Sequence, residues 1–122
     1  MLGIHVEYGG NRHVIGQANN VFVFPGVGMG AVISEIREIG EAVFLVAART
    51  LADSVSDERL AQGALYPDQS DLRSVSARIA AAVVRYASEN RLGRSFADEE
   101  IDQVVANATW YPEYVPVVAS DA

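Results

Sequence analysis

The chain has no cysteine and no lysine. The first absence excludes disulfides, thiolate catalysis and cysteine-based zinc sites. The second excludes a Schiff base or a lysine acting as acid or base; all nine basic residues are arginine, which stays protonated at any working pH. Positive charge is scarce, with a net charge of −7 and a pI near 4.6. Nothing forms the basic stripe that phosphate neutralisation requires, so nucleic acid and an anionic membrane surface are not expected partners. No run reaches the ~18 apolar residues of a membrane span. Met1 to Val6 lacks the basic and apolar regions of a signal peptide, so the expected location is cytoplasmic. Low-complexity tracts, linkers and internal repeats are missing too. What remains is one stretch of 122 residues, half of them hydrophobic, enough for one core and read as a single partial domain over residues 1–122.

The chain is organised around Gly16-Gln17-Ala18-Asn19-Asn20-Val21-Phe22-Val23-Phe24-Pro25-Gly26. Val21 to Phe24 is an apolar run closed by Pro-Gly, which reads as a buried strand. Two amides at the mouth of such a strand, with a helix just beyond, match the ligand crevice of α/β folds. Ahead of it, Gly9, Gly10 and Asn11 separate two short extended runs and predict a hairpin with strands near 5–8 and 12–15. Behind it the period is helical. A first helix begins near Gly28 and ends at Gly40, and a second covers 41–54. Ser56 caps a short turn through Leu60, and Gly63 fits the position just past a helix end. Ser70 is expected to cap the longest helix, 71–90, with Leu72, Val75, Ile79, Ala82, Val83 and Tyr86 inward. Ser95 and Asp98 suggest a capping box before a last helix near 98–108. Trp110 to Pro116 is an extended aromatic tail. The expected class is α/β and helix-rich, with an N-terminal hairpin and one buried strand.

Candidate chemistry is sparse. Gly26-Val27-Gly28-Met29-Gly30-Ala31 fits a loose G-x-G-x-x-A pattern, which reads either as a pyrophosphate loop or as small residues for tight packing. Asn19 and Asn20 present amides that recognise a carboxylate or carboxamide without titrating. They read equally as a turn, because asparagine bonds to its own backbone. His5 and His13 lack further ligands at metal-binding spacing, and no serine has a histidine base beside it. Glu99, Glu100 and Asp102 compensate a helix dipole. No residue is assigned as catalytic and none as a metal ligand.

The stretch from Gly16 to Gly28 resembles the GQGNNV-[FY]-[IV]-FPG-[IV]-G segment of malic enzymes. Three further motifs follow in order. Leu60-Ala61-Gln62-Gly63 with Leu65-Tyr66-Pro67 is similar to LAQG-x-LYP. Ser70-Asp71-Leu72-Arg73 with Val75-Ser76-Ala77-Arg78-Ile79-Ala80 is similar to S-[DR]-IR-x-VSA-x-IA. Trp110-Tyr111-Pro112-Glu113-Tyr114 is similar to WYPEY. The resemblance implies the C-terminal portion of a Rossmann-like NAD(P)-binding domain. It implies an enzyme that oxidatively decarboxylates malate to pyruvate and carbon dioxide with NAD or NADP and Mg²⁺ or Mn²⁺. It makes Asn19 a contact of malate, with Asn20 in the same substrate and cofactor pocket.

The family's tyrosine acid, lysine base, acidic metal ligands and glycine-rich fingerprint have no counterpart here. The chain alone is therefore expected to be inactive and to hold no cofactor tightly. It would act with a complementing malic-enzyme chain or as a homo-oligomer; the alternative is a non-catalytic module that self-associates or docks to a partner. Departures from the family pattern are Ala18 for glycine, Glu35 at a small-residue position, Gly40 for a threonine cap, and Asp68-Gln69 for Pro-Leu. A left-handed backbone at Ala18 would strain the loop by about 1 kcal/mol.

Overall fold

A computed structural model describes residues 4–119. The first three residues of the Met1 to Val6 stretch, read above for a leader, lie outside them. The hairpin forms as expected: β1 (Ile4–Tyr8) pairs antiparallel with β2 (Asn11–Ile15), Tyr8 opposite Asn11 and Ile4 opposite Ile15. Gly9 and Gly10 both take positive φ, 59° and 79°, which the tight two-residue turn requires. This ribbon is largely exposed. It is tied to the body where the Val14 N–H donates to the Gln62 carbonyl at 2.8 Å.

The buried strand at 21–24 does not form. Asn20–Phe22 is a turn of 3-10 helix, and Phe24 already begins α1 (Phe24–Ser34). The Asn19 carboxamide oxygen accepts from the Val21 N–H at 2.9 Å and bends the chain into the turn. Pro25 lies in the first turn of α1, where its fixed φ and missing N–H suit a helix start. Pro-Gly thus opens a helix rather than closing a strand. A short apolar run carries no period of its own, so only the cap decides between the two.

Four more helices follow: α2 (Glu41–Ala52), α3 (Asp57–Ala61), α4 (Leu72–Glu89) and α5 (Asp98–Ala108). Helix α4 is the axis, packing against α1, α2 and α5. On one side Val75, Ile79 and Val83 meet Phe22, Val27, Val43, Ala47 and Leu51. On the other, Ala80, Ala81 and Val84 meet Ile33, Ile101 and Val105. Of the residues expected inward on α4, Leu72, Ala82 and Tyr86 are only half-buried. The G-x-G-x-x-A segment lies wholly within α1, so its packing reading holds. A Cβ on Gly26 would come within 2.7 Å of Ile79 Cβ and the Ser76 carbonyl, and one on Gly30 within 2.7 Å of Val83 Cβ. Both glycines let α1 press directly onto α4.

Helix boundaries depart from expectation where side chains intervene. Helix α1 stops at Glu35, in the left-handed region at φ 49°, and not near Gly40. Residues 34–37 instead pair with the loop after α4: Arg94 N–H donates to the Ser34 carbonyl (2.7 Å), and Arg37 N–H to that of Leu92 (3.0 Å). Gly93 permits this, since a Cβ there would fall 2.1 Å from the Ser34 oxygen. Ser70 does not cap α4. Asp68 caps a 3-10 turn over Gln69–Asp71 that leads into it. Ser56 does cap α3, accepting from Arg59 N–H, and Gly63 takes φ 84°. At α5 half a capping box survives without Ser95: the Ala97 N–H donates to the Glu100 carboxylate at 3.2 Å. Ala18 is not among the residues with positive φ, so the anticipated loop strain is absent.

Gly26→Ala and Gly30→Ala should each destabilise the chain by about 1–3 kcal/mol, the cost of overpacking, read as a lower urea midpoint. Glu35→Gly should raise that midpoint, because the left-handed conformation costs about 1 kcal/mol for a residue with a Cβ.

Candidate functional site

The loop Gly16–Asn19 is held from one side by the connector between α3 and α4. Phe22, 1% exposed, sets its ring 6.2 Å from that of Tyr66. Gly16 lies close against Tyr66; a Cβ there would meet Tyr66 Cβ at 3.4 Å. The Gln69 amide donates to the Gln17 amide oxygen and joins loop to connector. Arg59 pins the connector itself, donating from Nε to the Tyr66 carbonyl (3.0 Å) and from Nη1 to Asp68 (3.3 Å). Asp68 in turn accepts from the Ser70 N–H and hydroxyl, both at 2.9 Å.

This frame leaves a groove of about 320 Å³ lined by Gln17, Asn19, Val21, Phe22, Gln69 and Leu72. Its polar lining is carboxamide alone. A second groove of about 420 Å³ adjoins it, shares Gln17 and Gln69, and reaches Arg59 and Asp68. Asn19 therefore lines a cavity, while Asn20 is exposed and outside that lining. Asn19 resolves its two sequence readings by serving both. Its oxygen makes the turn to Val21, and its NH₂ group keeps two donors for another partner. A groove of this kind recognises carboxylate or carboxamide groups by hydrogen bonding. It contains no group able to take up or release a proton near neutral pH.

The residues present do not fit a metal ion: no cluster of three potential ligands exists among the described residues. His13 sits against Gly63 in the hairpin contact, and His5 lies on exposed β1. Nor do they fit a dinucleotide pyrophosphate, because the glycines of the G-x-G-x-x-A segment are spent on helix packing and form no loop. Gln17, Gln69 and Asp68 were not singled out as site residues from the sequence. Asp68-x-Ser70 has the spacing of a side-chain-capped turn, a signal that was open to reading.

The profile of the malic enzyme NAD-binding domain matches residues 4–88. The chain belongs to the malic enzyme family. The NAD-dependent malic enzyme of Aeromonas salmonicida is 39% identical over 109 residues, 89% of this chain and 19% of that enzyme. The NADP-dependent malic enzyme of Dictyostelium discoideum is 35% identical over 109 residues, 89% of this chain and 20% of that enzyme. The human mitochondrial NADP-dependent malic enzyme is 38% identical over 106 residues, 86% of this chain and 18% of that enzyme. The chain thus spans about a fifth of the malic enzymes it matches. The α/β class follows from the family, and in this malic-enzyme segment it takes the form of a helix layer with a hairpin. Among the described residues no helix is long and apolar enough to cross a membrane.

The Ser70 N–H, the Ser70 hydroxyl and then the Arg59 charge hold the Asp68 carboxyl below its ordinary 3.8, against a smaller opposing effect of desolvation. A folded-state pKa below the unfolded one contributes stability that is complete above the unfolded value and lost as pH falls through the folded one. Asp68→Ala should therefore lower the thermal midpoint at neutral pH. The gap to wild type should close as the pH is taken below 3.8, as followed by circular dichroism.

Proposed function

We propose that the chain supplies the C-terminal part of the NAD(P)-binding domain of a malic enzyme. Within the assembled enzyme, malate is oxidatively decarboxylated to pyruvate and carbon dioxide. Asn19 and Asn20 stand on the rim of the substrate and cofactor site, Asn19 donating from its NH₂ group to a malate carboxylate. The cofactor, NAD or NADP, supplies the hydride acceptor, and a divalent metal ion belongs to the same proposal; the groups that hold them are carried by other polypeptide. Relatives named for NAD and for NADP match this segment at similar identity, so the choice between them is assigned to residues outside it. Residues 1–122 are read as one partial domain, and a cytoplasmic location goes with the bacterial relatives.

The observation that carries the reading is the divided carboxamide of Asn19. One atom builds the turn that starts α1, and the other remains a donor in a groove without titrating groups. The chain positions substrate; it does not move protons. Hydride transfer needs cofactor, base and substrate held together, so purified chain should give no malate-dependent reduction of NAD or NADP. Activity should appear when it is mixed with Aeromonas salmonicida malic enzyme truncated to remove the matching segment. In that assembly Asn19→Ala should reduce kcat/KM by roughly 10- to 100-fold, the loss of a hydrogen bond to a charged group. Asn19→Asp should keep the turn and the thermal midpoint, because a carboxylate oxygen still accepts from Val21. It should reduce activity at least as far, because like charges then face each other. Turnover by the isolated chain, or an unaffected Asn19→Asp assembly, would overturn the proposal.

A further inference from the structure

Helix α1 has no polar face. Its sequence, Phe24-Pro25-Gly26-Val27-Gly28-Met29-Gly30-Ala31-Val32-Ile33-Ser34, carries no charged side chain. One side, Gly26, Val27, Gly30 and Ile33, is buried. The other is apolar and open: Phe24 is 56% exposed and Val32 78%, with exposed Gly28 between them. Val21, 42% exposed, continues the stripe one turn earlier. Spacings of three and four place these residues on one face. A helix that borders water presents charge there, as α4 does with Arg73 and Arg78 and α5 with Glu99 and Asp102. Helix α1 has the composition of one covered on both sides.

Gly28 adds an independent sign. Gly26 and Gly30 are accounted for by α4, which leaves no room for a Cβ at either. At Gly28 a Cβ would meet nothing within 4 Å, and the backbone is ordinary helix. Glycine inside a helix is less stable than alanine. Nothing within the chain offsets that cost, whereas a backbone lying close against the outer face would.

We propose that the Val21–Phe24–Gly28–Val32 stripe is the docking surface for the β-sheet of the nucleotide-binding domain, carried by malic-enzyme sequence outside this chain. The inference rests on the family reading above and deepens it by naming the surface. Two observations choose this occupant. The chain spans about a fifth of its relatives, so most of the enzyme lies outside it. In α/β domains helices pack an apolar face on a parallel sheet, yet the only sheet among the described residues is the β1–β2 hairpin. The stripe also begins at Val21, which lines the Asn19 groove. The polypeptide that covers α1 therefore forms the missing wall of that groove.

The test uses the full chain and the truncated Aeromonas salmonicida enzyme, co-purified by size exclusion. Wild-type chain should co-elute with it. Val32→Glu should weaken co-elution at least tenfold, and Val117→Glu, on the exposed tail, should leave it unchanged. In the chain alone, Gly28→Ala should raise the thermal midpoint, opposite to Gly26→Ala and Gly30→Ala, while weakening co-elution. Failure of the wild type to co-elute, co-elution indifferent to Val32→Glu, or a lower midpoint for Gly28→Ala would overturn the proposal. So would a dimer of the chain, or its binding to anionic vesicles, that Val32→Glu abolishes. A complex that depends on Val32 but reduces no cofactor with malate would keep the surface and remove the functional reading. An active complex indifferent to Val32→Glu would do the reverse.

Discussion

Everything else in the chain depends on how closely α1 lies on α4. Gly26 and Gly30 leave backbone against Ile79, Val83 and the carbonyls of Ser76 and Ala80. That contact fixes where α1 starts and buries Phe22 and Val27 in one core cluster and Ile33 in the other. It also holds the last turn of α1 within reach of Leu92 to Arg94. Dispersion and apolar burial at such short range depend steeply on distance, so one methyl group in the seam is felt throughout. The functional loop inherits its position from this seam, because Asn19 is the residue that caps the turn leading into α1.

Substrate recognition and chain direction are thereby tied to one side chain. The Asn19 oxygen is committed to the Val21 N–H, which leaves the orientation of its NH₂ group little freedom. Preorganised donors of this kind need no reordering when a carboxylate arrives. The remaining walls are amides and apolar carbon, which suits a part of an enzyme that positions a substrate while the proton and hydride chemistry is done elsewhere.

Much of this was legible from residues alone. The Gly9-Gly10 turn, the limits of α5, the Ser56 cap and the family itself follow from local spacing and motif. The error at Val21 to Phe24 has a clear cause: four apolar residues before Pro-Gly have no period, and Asn19 was read as a ligand or a turn without asking what the turn would start. The end of α1 was misplaced because a tertiary contact with Gly93 set it, and no local signal marks that contact. Ser70 was chosen over Asp68 as a cap although both are capping residues, since only the structure shows which side chain reaches the free N–H. Ala18 and Gly40, departures from the family pattern, cost little here: Ala18 has an ordinary backbone, and Gly40 begins α2 in an extended conformation.

The central claim is that α1 and α4 open as one unit because of the glycine seam, carrying the Asn19 turn with them. Native-state amide hydrogen exchange on the intact chain measures this residue by residue. The account predicts that amides of Val27 to Ile33 share the opening free energy of Val75 to Val84, with exposed hairpin amides exchanging far faster. Protection of α1 no greater than that of the hairpin, with α4 still protected, would contradict it.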